Sequence, residues 1–124
     1  MGKQESYAKN SLKIEISENK DSITMCWTGK SIDRNPGQFI NPILVKLVNK
    51  SNEENKRIVL DFRKLDYMNS STITPLIKIL ERANRGKVFV TVKYNKHLKW
   101  QDLNFSALKI FQTQDKRVEI KGIE

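Results

Sequence analysis

The stretch Leu60-Asp61-Phe62-Arg63-Lys64-Leu65-Asp66-Tyr67-Met68-Asn69-Ser70-Ser71-Thr72-Ile73 decides the fold. Arg57-Ile58-Val59 leads into it, so its first half closes a short, nearly continuous apolar run. A central strand covered on both faces reads that way. Beyond it, Ile73, Leu76, Ile77, Leu80 and Ala83 recur at helical spacing, and Arg85-Gly86 supplies a C-terminal stop. Asn69-Ser70-Ser71-Thr72 between them are residue types that any strand-to-helix turn uses. Thr74-Pro75 is itself a good N-cap and first helical position, which would leave Ser70 in an irregular lead-in. Strand, polar crossing and apolar helix make one unit of an alternating α/β sheet. Functional loops in such sheets gather at the carboxyl ends of strands, so the crossing after Phe62 is where chemistry is expected.

Working outward, Leu12-Lys13-Ile14-Glu15-Ile16 alternates apolar and charged residues, and Ile23-Thr24-Met25-Cys26-Trp27-Thr28 is rich in β-branched and aromatic ones. The polar link between them predicts an antiparallel hairpin. Gly29 and Asp33-Arg34-Asn35-Pro36-Gly37 punctuate the chain. Phe39, Ile43, Leu44, Leu47 and Val48 then take helical spacing, with Asn41-Pro42 as cap and first helical residue. Downstream, Lys87-Val88-Phe89-Val90-Thr91-Val92-Lys93-Tyr94 reads as a buried strand. Leu98, Trp100, Leu103, Leu108 and Phe111 mark a less regular helical region, and Val118-Glu119-Ile120 a short edge strand. The order is ββαβαβαβ: a mixed central sheet with an N-terminal antiparallel hairpin and helices packed against it. Residues 1–10 read as a flexible N-terminus and 11–124 as one domain.

The chain has 124 residues, with 23 Lys+Arg against 14 Asp+Glu and a net charge of +9. One Cys and one His rule out a disulfide framework and any metal site built mainly from those ligands. No apolar stretch reaches the ~20 residues of a membrane span, and a cytoplasmic setting is the expectation. Residues 55–124 hold fifteen basic and seven acidic residues, and 78–99 alone holds Lys78, Arg82, Arg85, Lys87, Lys93, Lys96 and Lys99 against Glu81. Such a segment attracts phosphate, nucleic acid or an acidic protein; the plainer interpretation is a solvated surface.

The 60–73 crossing resembles the most characteristic segment of STAS domains, the fold of bacterial anti-sigma factor antagonists. There a hydrophobic strand ends in an acidic or polar residue, an aromatic-Met pair follows (here Tyr67-Met68), and Asp-Ser-Ser/Thr-Gly opens an apolar helix. The residue-level likeness covers about 61–80, and the element order matches from about Leu12 onward. Asn69 stands where the family has Asp, Thr72 where it has Gly, and Pro75 falls in the first helical turns. The resemblance implies a single-domain STAS-like fold and a non-catalytic, protein-binding regulatory module. Its partner would be a serine kinase or anti-sigma-like regulator. By the same resemblance the matching switch serine would be Ser70, the target of an ATP-dependent serine kinase, with Ser71 and Thr72 as alternative acceptors. Asp66, Tyr67, Met68, Asn69, Ser70, Ser71, Thr72 and Ile73 would form the partner-binding loop, with Arg63 and Lys64 close enough to contact a phosphate.

Other chemistry is thin. Cys26 and His97 are the only candidates for a thiolate and its base, but Cys26 lies in an apolar strand and His97 in a basic run. Asp61 reads as a support for the loop and Asp66 as solvent-facing; Trp27 and Trp100 read as core anchors. No glycine spacing of a Walker or dinucleotide loop occurs, so no cofactor and no metal is assigned. The competing function is a nucleic-acid or phosphorylated-ligand binder using 78–99.

Overall fold

The computed structural model describes residues 4–86 and 88–124. Among these, the elements run β1 (Gln4–Lys9), β2 (Leu12–Glu18), β3 (Ser22–Ser31), α1 (Gly37–Glu54), β4 (Arg57–Asp61) and β5 (Leu65–Met68). A 3-10 turn (Ser70–Thr72), α2 (Ile73–Asn84), β6 (Val90–Asn95), α3 (Lys99–Ser106), a second 3-10 turn (Ala107–Phe111) and β7 (Val118–Ile123) complete the chain. One sheet holds every strand in the order β1-β2-β3-β4-β6-β7, with β5 beside β3. The β1/β2 and β2/β3 pairs are antiparallel, and β3/β4, β4/β6 and β6/β7 are parallel. The expected ββαβαβαβ order is present as β2, β3, α1, β4, α2, β6, α3 and β7.

Alternation along the strands builds the core. Ile14 and Ile16 of β2, Ile23, Met25 and Trp27 of β3, and Ile58 and Leu60 of β4 turn to one face. The buried sides of α1, α2 and α3 join them there in a single cluster that includes Leu44, Leu47, Leu76, Leu80 and Phe105. Phe62, Trp27 and Phe105 meet ring to ring at its centre, with Trp27–Phe62 centroids 4.9 Å and Phe62–Phe105 centroids 4.6 Å apart. The helices therefore cover one face of β4, not both. Val59 and Asp61 point to the opposite face, and Val59 stands outside the cluster.

Two further expectations change. Residues 1–10 do not form a flexible lead-in throughout: Gln4–Lys9 pair with β2 as an edge strand. Tyr7 lies opposite Ile14 and packs against the core, and its neighbour Glu5 accepts hydrogen bonds from the Tyr7 hydroxyl and Lys46. Residues 1–3 of that lead-in, and Lys87 of the basic segment, lie outside the described residues. Helix α1 also begins earlier than Asn41-Pro42. The N–H groups of Gln38, Phe39 and Ile40 donate to the carbonyls of Asn35 and Pro36 in a tight first turn, which leaves Pro42 inside the helix.

The strand that positions the functional crossing exists because β3 outruns β4. β4 pairs with the first half of β3, from Ser22 to Cys26, and β5 pairs with its last part, from Gly29 to Ser31. The register shifts between Gly29 and Lys30. Gly29 has φ +86°, and a Cβ there would lie 2.0 Å from the Ser11 carbonyl oxygen, so only glycine fits the kink. No helix among the described residues is long and apolar enough to cross a membrane.

Candidate functional site

The crossing is clamped at both ends of its turn. Asn69 leaves β5 in extended backbone, and its N–H donates to the Ser31 carbonyl at 2.9 Å. Its side-chain Oδ1 accepts from the Thr72 N–H (3.1 Å) and the Thr72 hydroxyl (2.8 Å), while Nδ2 donates to the Asp33 carbonyl (2.8 Å). With the single Thr72 proton committed to Asn69, the Ser31 hydroxyl must be the donor in the 2.7 Å bond between Ser31 Oγ and Thr72 Oγ1. Asn69 thus caps the turn as Asp would, and uses an amide donor that a carboxylate lacks. The regular helix begins at Ile73 with Thr72 at its N-cap, two residues before the expected cap Thr74 and first helical residue Pro75, and Ser70 stands in a 3-10 lead-in.

The three candidate acceptors separate clearly. Ser70 and Ser71 stand exposed on the turn, whereas Thr72 is fully buried with its hydroxyl engaged on both sides. Burial removes Thr72 from the reach of any modifying enzyme in the folded chain. Asp66 and Tyr67 are exposed, Met68 is buried beneath them, and Asn69 and Ile73 are half-buried. The Tyr67 ring leans toward Trp100 with centroids 6.4 Å apart. Gln101, buried on α3, holds the crossing from behind: its Nε2 donates to the carbonyls of Phe62 and Leu65, and its Oε1 accepts from the Asn95 N–H.

Arg63, one of the two cations expected beside Ser70, is held elsewhere. Arg63 is committed to Asp61, with Nε to Oδ1 at 3.0 Å and Nη2 to Oδ2 at 2.8 Å. Burial pushes the Asp61 carboxyl up, but the Arg63 side chain and backbone N–H outweigh it and hold the carboxyl below the usual range. β5 then separates this pair from the turn by roughly 10 Å of extended chain. The cations near the turn are different ones. A cleft of about 290 Å³ is lined by Ser71 and Thr74, by Arg34 from the loop before α1, and by Lys78 from α2. Nothing local in the sequence links Arg34 to this turn; the link is the β3–β5 pairing, which carries the 31–36 loop alongside.

The basic segment 78–99 does not make one surface. Lys78 and Arg82 lie on α2, on the helical side of the sheet, whereas Lys93 lies opposite Asp61 in β6 and faces the other side. Cys26 sits half-buried on that open face, where burial and then the Asp61 charge push its thiol up. His97 is exposed near Glu124, and no hydrogen bond among the described residues joins it to Cys26.

A one-sided α/β sheet of this order, with a capped turn leading into the helix after its central strand, is a SpoIIAA-like fold, that of the STAS anti-sigma antagonists. The chain is similar to SiaC of Pseudomonas aeruginosa, with a TM-score of 0.60, 15% identity and 98% of each chain covered. It is likewise similar to an uncharacterized protein of the DUF3478 family with a SpoIIAA-like fold from Shewanella loihica, with a TM-score of 0.56, 14% identity, and 95% of this chain and 91% of that one covered. No curated protein gives a match. Residues 7–101 match the model of the SiaC family regulatory phosphoproteins, and the chain belongs to that family.

Proposed function

We propose that this regulatory phosphoprotein is a non-catalytic module whose switch is Ser70. Unmodified, it binds a protein partner of the serine kinase or anti-sigma type through residues 66–73 and the exposed side of α2; phosphorylation of Ser70 breaks that contact. The observation that supports this best is the exposed Ser70 hydroxyl on a turn fixed at both flanks by Asn69 and Thr72. A phosphate there adds roughly −1.5 to −2 charge at the N-terminal lead of α2, where backbone N–H groups and the helix dipole favour an anion. The fold tolerates the group, and a partner packed against the turn does not. Ser71 is the second acceptor on the same exposed turn.

The test is incubation with ATP and a cognate serine kinase, followed by fragmentation of the tryptic peptide 65–78. The expected product carries one phosphoryl group on Ser70, and Ser70→Ala abolishes it. A peptide left unmodified, or modified only at another residue, overturns the switch.

A further inference from the structure

The partner's chemistry is written in the groove beside the switch. α1 and α2 each link parallel strands of one sheet and so run side by side in the same direction. From α1 the groove is lined by Asn41, Leu44, Val45 and Val48, spaced i, i+3, i+4, i+7. α2 offers the same spacing from Pro75 through Lys78 and Ile79 to Arg82. Matching stripes make a trough two helical turns long, about 10 Å, with a volume of about 230 Å³. Its floor is aliphatic, and Val45 remains 48% exposed in it.

The rim is cationic. Lys78 and Arg82 are exposed, and no carboxylate pairs with them among the described residues, whereas the α1 lysines Lys46 and Lys50 are neutralised by Glu5 and Glu18 on the sheet side. Past Pro75 and Lys78 the trough runs into the cleft that holds Arg34 and Ser71. Among the described residues, none that lines either depression is acidic.

We propose that this trough seats an acidic amphipathic helix of the partner. Its aliphatic residues at i, i+3 or i+4, and i+7 fill the floor, and its carboxylates meet Lys78, Arg82 and, at the far end, Arg34. The inference rests on the partner-binding role proposed above and deepens it, but it does not require Ser70 to be modified. It also sets the sign of the switch. A phosphate on the neighbouring turn cancels the positive potential at the mouth of the trough, so modification releases an acidic helix.

The probe is a labelled designed peptide of about 15 residues, long enough to populate a helix, with leucines on one stripe and glutamates flanking it. A second peptide carries lysines in place of the glutamates. Anisotropy at low salt is expected to give saturable binding of the first peptide, about tenfold or more tighter than the second. Amide shifts should centre on residues 41–48 and 75–82. Lys78→Glu with Arg82→Glu should weaken the first peptide about tenfold or more while the circular dichroism spectrum stays unchanged. No binding of the glutamate peptide, equal affinity for both peptides, or shifts centred elsewhere overturns the proposal. Peptide binding is read on the unmodified chain and needs no phosphate, whereas the Ser70 switch is read by phosphosite mapping, so failure of the trough and failure of the switch are distinguished.

Discussion

Thr72 is spent where Ser70 is free. Its hydroxyl donates to Asn69 and accepts from Ser31 at full burial, so its work is to hold the turn. Thr72→Val keeps the shape but leaves the Ser31 hydroxyl buried without an acceptor, which should cost about 1–3 kcal/mol. Urea denaturation measures this. Ser31→Ala together with Thr72→Val should cost clearly less than the sum of the two single changes, because no hydroxyl of that pair is then left stranded. Additive losses would show that the two hydroxyls do not act as a pair. The Asn69 side of the network also gives a reason for Asn where the STAS segment it resembles has Asp. A carboxylate would face the Asp33 carbonyl where the amide now donates.

At the scale of elements, β5 and the kink at Gly29 set where the Asn69–Thr72 turn stands. Gly29→Ala combines an unfavourable φ with a Cβ 2.0 Å from the Ser11 carbonyl oxygen, so the strand must shift. A loss of about 2 kcal/mol or more is expected, with the largest amide shifts along β5 and the turn; an unperturbed turn would contradict the role given to the kink. The sheet is tied to α1 at its other end by Glu18, which bonds Lys50 and Lys56. The Lys50 hydrogen bond above all holds the Glu18 carboxyl below its ordinary value, despite burial. A lowered native pKa means that the stabilisation is complete above the ordinary glutamate value and is lost as pH falls through the native one. Unfolding midpoints between about pH 3 and 6 should therefore drop on acidification, and Glu18→Gln should flatten that slope. An equal slope in both proteins would remove Glu18 from the account.

The elements legible in the sequence were those with strong periodicity. The hairpin, the helix after the crossing and the central strand each announce themselves through apolar spacing. β1 and β5 do not: Gln4–Lys9 offers little apolar signal beyond Tyr7, and Leu65–Met68 exists only because β3 extends past β4. Val59 made β4 look two-sided, although the helices lie on one face. For the site, the chemistry of the turn was readable in Asn69-Ser70-Ser71-Thr72, but not its surroundings. Arg63 is close to Ser70 along the chain but is held by Asp61, whereas Arg34 is brought in by tertiary pairing.

For the molecule as a whole, the surplus of +9 acquires a local meaning where Arg34, Lys78 and Arg82 edge the turn and the trough beside it. On the proposed reading, a phosphate on the exposed Ser70 would act on a surface whose edge is cationic. The most direct measurement is phosphosite mapping of the chain isolated from its own cells, by intact mass and peptide fragmentation. The expected result is a singly phosphorylated fraction with the group on Ser70, absent in a Ser70→Ala strain. A phosphate found only at other residues, or a modified fraction that persists in that strain, would contradict it.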